Sequence, residues 1–334
     1  MTTQEKTKLP IFFGAMTIGK PGVEQTRVHD LQDAAAMLDI FQKYGHKEVD
    51  TARVYGGGSS EEYLGKLNWQ ERGVVMETKL YPGGSYASKI THNAADLRKL
   101  LLESRKALNA KKIDMWYLHG PDRKTSYEET FRAVDDLHKE GYFDCFGISN
   151  EMSWEVAQIN NLCIQNGWIR PAVYQGVYCS IQRSVEAELF PCLRHYGMGF
   201  HAFNPLAGGY LKNRYHRGDD LTVEEGSRFD SKTSQGQSYR KRFWNDAMLT
   251  LSDIVRAAAK KHNFTEVECA LRWMMHHSKL DAKNGDTVII GASSTKHLEE
   301  NLVDFEKGPL PEDVVVAFDE AWAKTKGFVS PYFH

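Results

Sequence analysis

The chain has 334 residues, of which 41% are hydrophobic and 26% are charged, as in ordinary globular domains. A formal net charge of −2 provides no basic field for nucleic acid or for an anionic membrane. No apolar run approaches the ~20 residues that span a bilayer, and the polar first ten residues contain no apolar signal core. We therefore expect a cytoplasmic protein whose partners are neither nucleic acid nor membrane.

The spacing of cysteine and histidine argues against a metal site. The five cysteines include no CxxC pair, and the adjacent His276 and His277 have no further ligand at the spacing of a zinc site. An odd number of cysteines fits free thiols in a reducing compartment. We expect no bound metal.

Short apolar runs alternate with amphipathic segments along the whole chain. The strand-like runs, in chain order, are PIFFG (10–14), KEVDTA (47–52), VVMETK (74–79), IDMWYLH (113–119), DCFGIS (144–149), AVYQGV (172–177), MGFHAFN (198–204) and DTVIIGA (286–292). The helix-like segments include residues 29–45, 94–110, 127–141, 154–167, 241–261 and 265–277. Eight strand–helix repeats predict an α/β fold in which a parallel sheet closes into a (β/α)8 TIM barrel. No low-complexity linker divides the chain, so residues 1–334 are predicted to form a single domain.

One segment interrupts the regular repeat. Between Asn204, at the end of the seventh strand, and a helix predicted to begin near Arg240 lie about three dozen residues rich in Gly, Asp, Ser and Arg. A loop of that length is typical of a lid or binding loop. After the eighth strand we expect an extra C-terminal helix (312–325) and a tail (327–334). No GxGxxG motif follows the first strand, so a Rossmann domain is not predicted.

Four ionisable side chains stand where predicted strands end. Asp50, Lys79 and His119 lie at the ends of the second, third and fourth runs, and Tyr55 follows the second run by one turn. In a parallel barrel the carboxyl ends of the strands form the active-site face, so the four are expected to meet there. A Lys79 ammonium would favour the Tyr55 phenolate and lower the pKa of the phenol, which suits donation of a proton to a carbonyl oxygen. Asp50 would keep Lys79 charged, and His119 would donate to, or orient, the substrate oxygen.

Each of these residues also has a structural alternative. Asp50 alone could cap a turn, and Tyr55 could be a half-buried aromatic. Lys79 could be a solvated charge, and His119 a core histidine satisfied by the backbone. Their shared position at successive strand ends favours the catalytic interpretation.

At these residues the chain resembles the aldo-keto reductase superfamily, and the resemblance runs essentially along the whole sequence. It is carried by GAMTIG (14–19), DTARVYGGGSSEEYLG (50–65), TKLYP (78–82), YLHGPD (117–122), FGISN (146–150), YQGVYC (174–179), FNPLAGGYL (203–211) and VIIGASS (288–294). The family's catalytic tetrad falls on Asp50, Tyr55, Lys79 and His119. The resemblance implies NADPH-dependent reduction of aldehydes, with ketones as further substrates, to alcohols.

Finer features resemble the aflatoxin-aldehyde reductase branch, namely FPCLRHYG (190–197), SYRKRFWND (238–246) and LRWMMHHSKL (271–280). Such a relationship implies that NADPH lies extended across the barrel mouth, with its nicotinamide ring on Phe203, where the family usually has Tyr. The nicotinamide amide would lie near Ser149, Asn150 and Gln175, and the pyrophosphate would lie along residues 204–214. The cofactor-binding residues implied are Met16, Asp50, Ser149, Asn150, Gln175, Phe203, Asn204, Pro205, Leu206, Gly208, Gly209, Arg214, Arg228, Ser293, Ser294, His297, Glu300 and Asn301.

Basic residues at the adenosine end bear on the choice between NADPH and NADH. Many superfamily members have a Lys and an Arg there, whereas the stretch SSTKHLEEN offers Lys296 and His297. Arg228 is a further candidate, and a helix beginning near Thr295 could bind the 2′-phosphate at its N-terminus. NADPH is therefore favoured over NADH.

The resemblance implies substrate contacts at Tyr55, His119, Tyr239, Arg242 and His334. The branch often carries an Arg at its C-terminal position near the substrate, where this chain has His334. A neutral imidazole binds a carboxylate less well than a guanidinium does. We therefore expect carboxylated aldehydes to lose part of their advantage over neutral ones. The structural alternatives are a surface salt bridge for Arg242 and packing on Trp244 for Tyr239.

Two other functions remain open from the sequence. The first is a Schiff-base aldolase with Lys79 as the nucleophile, which would require a neutral amine and is disfavoured by Asp50. The second is an NADPH-binding regulatory or interaction subunit with little turnover. The branch resemblance also suggests a homodimer.

Overall fold

Eight parallel strands close into a barrel in the computed structural model, which describes residues 7–83, 90–212, 223 and 226–334. Each strand pairs with the next in the sequence, and β8 pairs with β1. Every predicted strand is confirmed, within a few residues at its ends. The strands are β1 (Ile11–Gly14), β2 (Glu48–Asp50), β3 (Val75–Leu80), β4 (Ile113–Leu118), β5 (Phe143–Ser149), β6 (Val173–Val177), β7 (Gly199–Phe203) and β8 (Thr287–Gly291).

Helices surround the barrel and bury their apolar faces against it. Those in the described residues are α1 (Leu31–Lys43), α2 (Ser59–Gly65), α3 (Ala94–Ala107), α4 (Tyr127–Lys139), α5 (Ser153–Asn166), α6 (Leu189–Tyr196), α7 (Ser234–Phe243), α8 (Asp246–Lys261), α9 (Glu266–His276), α10 (Thr295–Phe305) and α11 (Glu312–Thr325). The extra C-terminal helix is α11, as predicted. No helix of the described residues is long and apolar enough to cross a bilayer.

The predicted helix over 241–261 is wrong in its N-terminal part, because the chain forms two helices there. α7 begins at Ser234, where the Thr233 side chain accepts from the Gly236 amide. α8 begins after Asn245, whose side chain accepts from the Met248 amide. Both residues are good N-caps, and each satisfies an amide that the first turn of a helix leaves unpaired.

The barrel interior is built in layers by the alternation of side chains along each strand. Asp50, Lys79 and Gln175 form part of the layer at the carboxyl end. Glu77, Tyr117 and His201 lie one layer below and contact one another. The carboxyl end of the barrel is therefore the place where ionisable groups meet a cavity.

Candidate active site

The structure brings together Asp50, Tyr55, Lys79 and His119 at the carboxyl end of the barrel. Asp50 is the last residue of β2, and Lys79 is the next-to-last residue of β3. His119 directly follows β4, and its amide donates to the Leu80 carbonyl. Tyr55 opens a 3-10 turn, Tyr55–Gly58, after β2. Neighbouring strands thus present four ionisable groups on one face.

A buried ion pair lies at the centre of this group. Lys79 Nζ is 2.6 Å from Asp50 Oδ1, and the two side chains are 0% and 4% exposed. The same ammonium donates to the Thr51 carbonyl at 2.7 Å. Burial acts to lower the pKa of Lys79, but Asp50 and then Tyr55 outweigh it and leave this pKa raised. Lys79 is therefore a cation at neutral pH, and removing one partner of such a pair typically costs ~3–5 kcal/mol.

Tyr55 lies between the ion pair and His119. The Lys79 ammonium is 5.0 Å from the centre of the Tyr55 ring, and the His119 ring meets Tyr55 edge-on at 5.7 Å. Burial raises the pKa of the Tyr55 phenol, and Lys79 lowers it by less, so the net shift is upward. The expectation of a lowered pKa for the Tyr55 phenol is therefore wrong, because loss of hydration outweighs the neighbouring cation.

His119 is a neutral imidazole at this site. Burial, and then the positive charge of Lys79, lowers the pKa of His119 well below its usual value. Its Nδ1 atom is buried and has no hydrogen-bond partner within the described residues. A neutral ring can donate from one nitrogen, which suits polarisation of a carbonyl oxygen.

The turn that carries Tyr55 is held by a buried ion pair of its own. Gly56, Gly57 and Gly58 have positive φ, which L side chains rarely adopt. Arg53 Nη1 is 2.5 Å from Glu61 Oε2, and a Cβ on Gly58 would lie 2.1 Å from Arg53 Nη2. Gly58 therefore lets the chain pass close to Arg53 just before α2 begins.

The residues predicted to hold the nicotinamide amide lie at the end of β5 and in the middle of β6. Asn150 has φ +64°, in the left-handed region that Asn tolerates better than most residues. Its Nδ2 donates to the His119 carbonyl at 2.8 Å and to Ser149 Oγ at 2.9 Å. Gln175 Nε2 donates to Asp50 Oδ1 at 2.9 Å. Asn150 and Gln175 are thus hydrogen-bonded directly to His119 and Asp50 of the tetrad.

A cavity of about 640 Å³ opens above these side chains. Lys79 and Ser149 are fully buried beneath its wall, Glu300 lies on a neighbouring groove, and Ser294 caps α10. Arg214 lies outside the described residues. The predicted residues that line the cavity are Met16, Asp50, Tyr55, His119, Asn150, Gln175, Phe203, Asn204, Pro205, Leu206, Gly208, Gly209, Arg228, Tyr239, Arg242, Ser293, His297, Asn301 and His334.

Arg228 lines the cavity and contacts Asn204, which directly follows β7. Arg228 Nη1 donates to Asn204 Oδ1 at 3.1 Å, and the Tyr239 hydroxyl donates to the same oxygen at 3.0 Å. Arg228 Nη2 is 3.9 Å from the sulfur of Met16. These contacts join Arg228 to residues that follow β1 and β7 and, through the Tyr239 ring, to α7.

Residues at the start of α10 and just before it form a polar patch at the cavity wall. Ser293 Oγ is 3.0 Å from His297 Nδ1, and the His297 amide donates to Ser294 Oγ at 3.2 Å. Lys296 is highly exposed and lies 3.8 Å from Glu300. Lys212, which the sequence analysis did not single out, lines the cavity and the neighbouring groove.

The tail brings His334 to the rim of the cavity. His334 Nε2 is 3.0 Å from the Tyr81 hydroxyl, and the Tyr81 ring meets His119 edge-on at 5.5 Å. Arg123 Nη1 donates to the His334 main-chain oxygen at 3.1 Å. Partial burial, then Arg242 and Arg123, lowers the pKa of His334, so its imidazole is neutral.

Several cavity residues were not identified from the sequence. Tyr81 was visible in the TKLYP segment but was not assigned. Glu24, in the loop after β1, accepts from Ser234 Oγ and the Gln235 amide and so bridges that loop to α7. No local pattern marks Glu24, because its partners lie some 210 residues away.

Comparison with known proteins agrees with this geometry. A model of the aldo/keto reductase family matches residues 10–323. The chain is 51% identical over 297 residues to an aldo-keto reductase of Pseudocercospora fijiensis, covering 89% of this chain and 100% of that protein. It is 45% identical over 338 residues to aldo-keto reductase pigE of Monascus ruber, covering 98% of each. It is 42% identical over 308 residues to aflatoxin B1 aldehyde reductase member 2 of Homo sapiens, covering 90% and 84%.

Proposed function

The chain belongs to the aldo/keto reductase family and is an aldehyde reductase that uses a nicotinamide cofactor, and from this premise we propose that the cofactor is NADPH and that Tyr55 is the proton donor. The observation that carries the proposal is the position of Tyr55 on the cavity, with the Lys79 ammonium 5.0 Å from its ring and the His119 ring at 5.7 Å.

Each residue of the tetrad has one part in this reaction. The nicotinamide, when bound, supplies a hydride to the carbonyl carbon. Tyr55 gives its proton to the carbonyl oxygen, and Lys79 stabilises the phenolate that remains. Asp50 keeps Lys79 charged and oriented. Neutral His119 donates to the substrate oxygen and stabilises the negative charge that develops there.

The residues around the cavity fit a nicotinamide dinucleotide. Two buried side-chain nitrogens in its wall, His119 Nδ1 and Asn204 Nδ2, have no hydrogen-bond partner within the described residues. Gly209 leaves the backbone open to close approach by a phosphate, because the nearest atom to a Cβ there would be 3.9 Å away. Phe203 presents a half-buried aromatic ring on which the nicotinamide would stack, and Asn150 and Gln175 would hold its amide.

The choice of NADPH depends on basic groups near the adenosine end. His297 and Lys212 line the cavity, and Lys296 lies beside it on the neighbouring groove. The N-terminus of α10, capped by Ser294, provides amides and a partial positive charge for a 2′-phosphate. These features favour NADPH over NADH by charge.

The proposed substrates are reactive aldehydes, as the name of the aflatoxin B1 aldehyde reductase suggests. Tyr239, Arg242 and His334 line the cavity, and in this proposal all three contact the aldehyde. We also propose a single cytoplasmic domain over residues 1–334 that forms a homodimer. Sedimentation of the pure protein would test the dimer.

The two alternatives from the sequence are weaker. A Schiff-base aldolase needs a neutral Lys79, whereas Asp50 lies 2.6 Å from its ammonium and the pKa of Lys79 is raised. A regulatory subunit finds no support in the relatives named above, which are all named as reductases. Borohydride trapping with substrate would detect an aldolase imine.

The decisive experiment compares NADPH oxidation with a panel of small aldehydes in wild type and Tyr55→Phe. We expect turnover in the variant to fall by ~10²–10⁴-fold while NADPH binding is retained. Tyr142→Phe, at the opposite end of the barrel, is the matched control and is expected to keep wild-type turnover. Equal activity in wild type and Tyr55→Phe would refute Tyr55 as the donor, and tight NADPH binding without turnover in wild type would favour the regulatory alternative.

A further inference from the structure

A second group of polar side chains fills the barrel one layer below the tetrad. The Tyr117 hydroxyl donates to Glu77 Oε2 at 3.2 Å and lies 2.9 Å from His201 Nδ1. His201 Nδ1 is also 3.6 Å from Glu77 Oε2. The Glu77 and His201 side chains are 3% and 5% exposed, and Tyr117 is fully buried. We call these three residues the lower cluster.

Strand register places the lower cluster directly beneath the Lys79–Asp50 pair. Glu77 pairs with Asp50 across β2 and β3, and Tyr117 pairs with Lys79 across β3 and β4. Glu77 and Lys79 are two residues apart on one strand, so both side chains point into the barrel. Gly147 provides the room, because a Cβ there would lie 2.3 Å from the Tyr117 ring.

The hydrogen bonds of the lower cluster have a direction. A tyrosine hydroxyl has one proton, so Tyr117 donates to Glu77 only when His201 Nδ1 in turn donates to Tyr117. A chain of donors then runs from His201 through Tyr117 to the Glu77 carboxylate. In a dry interior such a chain orients the carboxylate and stabilises its negative charge.

Glu77 faces titratable groups on several strands. Burial acts to lower the pKa of Lys79, and Asp50, Tyr55 and Glu77 act in the opposite direction. Burial likewise raises the pKa of Tyr117, and Glu77 raises it further. The groups that face Glu77 are Asp50 on β2, Lys79 on β3, Tyr117 on β4, Cys145 on β5 and His201 on β7.

We propose that Glu77, oriented by Tyr117 and His201, is a positioning residue that balances the charge of Lys79 from below and thereby limits how strongly Lys79 favours the Tyr55 phenolate. This rests on the proposed function, in which Tyr55 is the proton donor. Glu77 is not among the residues that line the cavity, so it acts through Lys79 and Asp50. Its role is to keep Tyr55 protonated over a wider range of pH.

The test is the pH dependence of kcat for aldehyde reduction in wild type and Glu77→Gln. Removing a negative charge lowers the pKa of groups nearby, so Tyr55 would lose its proton at lower pH. Reduction needs protonated Tyr55, so kcat falls at high pH, in the alkaline limb of the profile. In Glu77→Gln we expect this alkaline limb to move to lower pH by on the order of one unit. Glu48→Gln, with a half-exposed carboxylate on β2, is the matched control and is expected to leave that limb in place.

Tyr117→Phe gives a second and independent measurement. It leaves Glu77 in the chain but removes the hydroxyl that orients it, so a smaller shift in the same direction is expected. If Glu77→Gln does not fold, as judged by circular dichroism and NADPH binding, the Tyr117→Phe profile decides. The role of Glu77 would be overturned if wild type is active but the folded variants show the same alkaline limb as wild type. It would also be overturned if Glu48→Gln shifts that limb as far as Glu77→Gln does. Full activity of Tyr55→Phe would instead overturn the proposed function.

Discussion

Gln175 and Lys79 bind the same oxygen of Asp50. Gln175 Nε2 donates to Asp50 Oδ1 at 2.9 Å, and Lys79 Nζ lies 2.6 Å from that atom. Gln175 also lines the cavity, where it was predicted to hold the nicotinamide amide. One side chain therefore links the proposed cofactor site to the buried ion pair.

Replacing Gln175 by a residue of similar length without polar atoms should affect both sites. In Gln175→Met the Asp50 carboxylate loses a donor, and hydrogen bonds to charged groups contribute ~1.5–3 kcal/mol. We expect kcat to fall by about tenfold or more and the Kd for NADPH to rise. Steady-state kinetics and fluorescence titration would measure the two effects separately.

Gln42→Met is the matched control, because Gln42 on α1 donates to the Arg72 carbonyl in the turn before β3. It removes an amide of the same size away from the cavity and should leave both constants unchanged. Weaker NADPH binding in Gln175→Met with an unchanged kcat would mean that its bond to Asp50 does not matter for the chemistry.

Two adjacent glycines offer a second matched comparison. Gly208 and Gly209 both have positive φ, +71° and +92°, so alanine at either position strains the backbone by ~1 kcal/mol. Only at Gly208 would the new Cβ meet a ring, at 2.2 Å from Tyr239 Cε1, whereas the nearest atom at Gly209 is 3.9 Å away. Gly208→Ala should therefore displace Tyr239 from Asn204 and weaken NADPH binding more than Gly209→Ala, which leaves that contact in place. Equal NADPH affinity in the two variants would contradict the idea that Tyr239 holds Asn204 in place for the cofactor.

A buried histidine away from the active site should make stability depend on pH. Burial lowers the pKa of His92 to about 4, below its ordinary value of 6.5. The unfolded chain therefore binds a proton that the folded chain excludes, and stability falls as the pH drops from 6.5 towards 4. The loss amounts to about 3 kcal/mol. Urea unfolding at a series of pH values should give a shallower acid decline for His92→Gln than for wild type, and parallel declines would show that another group is responsible.

The strands and the tetrad could be predicted because they depend on local patterns. Each strand is an apolar run between polar turns, and the positions of Asp50, Lys79 and His119 at strand ends follow from the chain order alone. The break between α7 and α8 was missed because a single Asn is tolerated inside a helix, so the capping role of Asn245 becomes evident only from its contact with the Met248 amide.

Other parts of the site depend on contacts between distant segments. The Glu24 bridge to α7 joins residues some 210 positions apart, and the contact of Tyr81 with His334 spans 253 positions. The pKa of Tyr55 was misjudged for a related reason, since the sequence shows the neighbouring Lys79 but not how deeply the phenol is buried. Depth is a property of the packed barrel.

The last prediction concerns which aldehydes the enzyme prefers. His334 is neutral, contacts Tyr81 and lines the cavity, so it provides no positive charge for a substrate carboxylate. In His334→Arg, a guanidinium at the same rim could bind a carboxylate through two hydrogen bonds. We expect kcat/KM for succinic semialdehyde, relative to butanal, to rise by about tenfold.

The main-chain contacts of His334 with Asn150 and Arg123 do not involve its ring, so the tail should keep its position in the variant. His195→Arg, on the exposed side of α6, adds the same charge away from the cavity and should leave the ratio unchanged. If wild type already preferred succinic semialdehyde by far over neutral aldehydes, Arg242 rather than residue 334 would be the carboxylate-binding group, because it lines the cavity and its charge acts on His334.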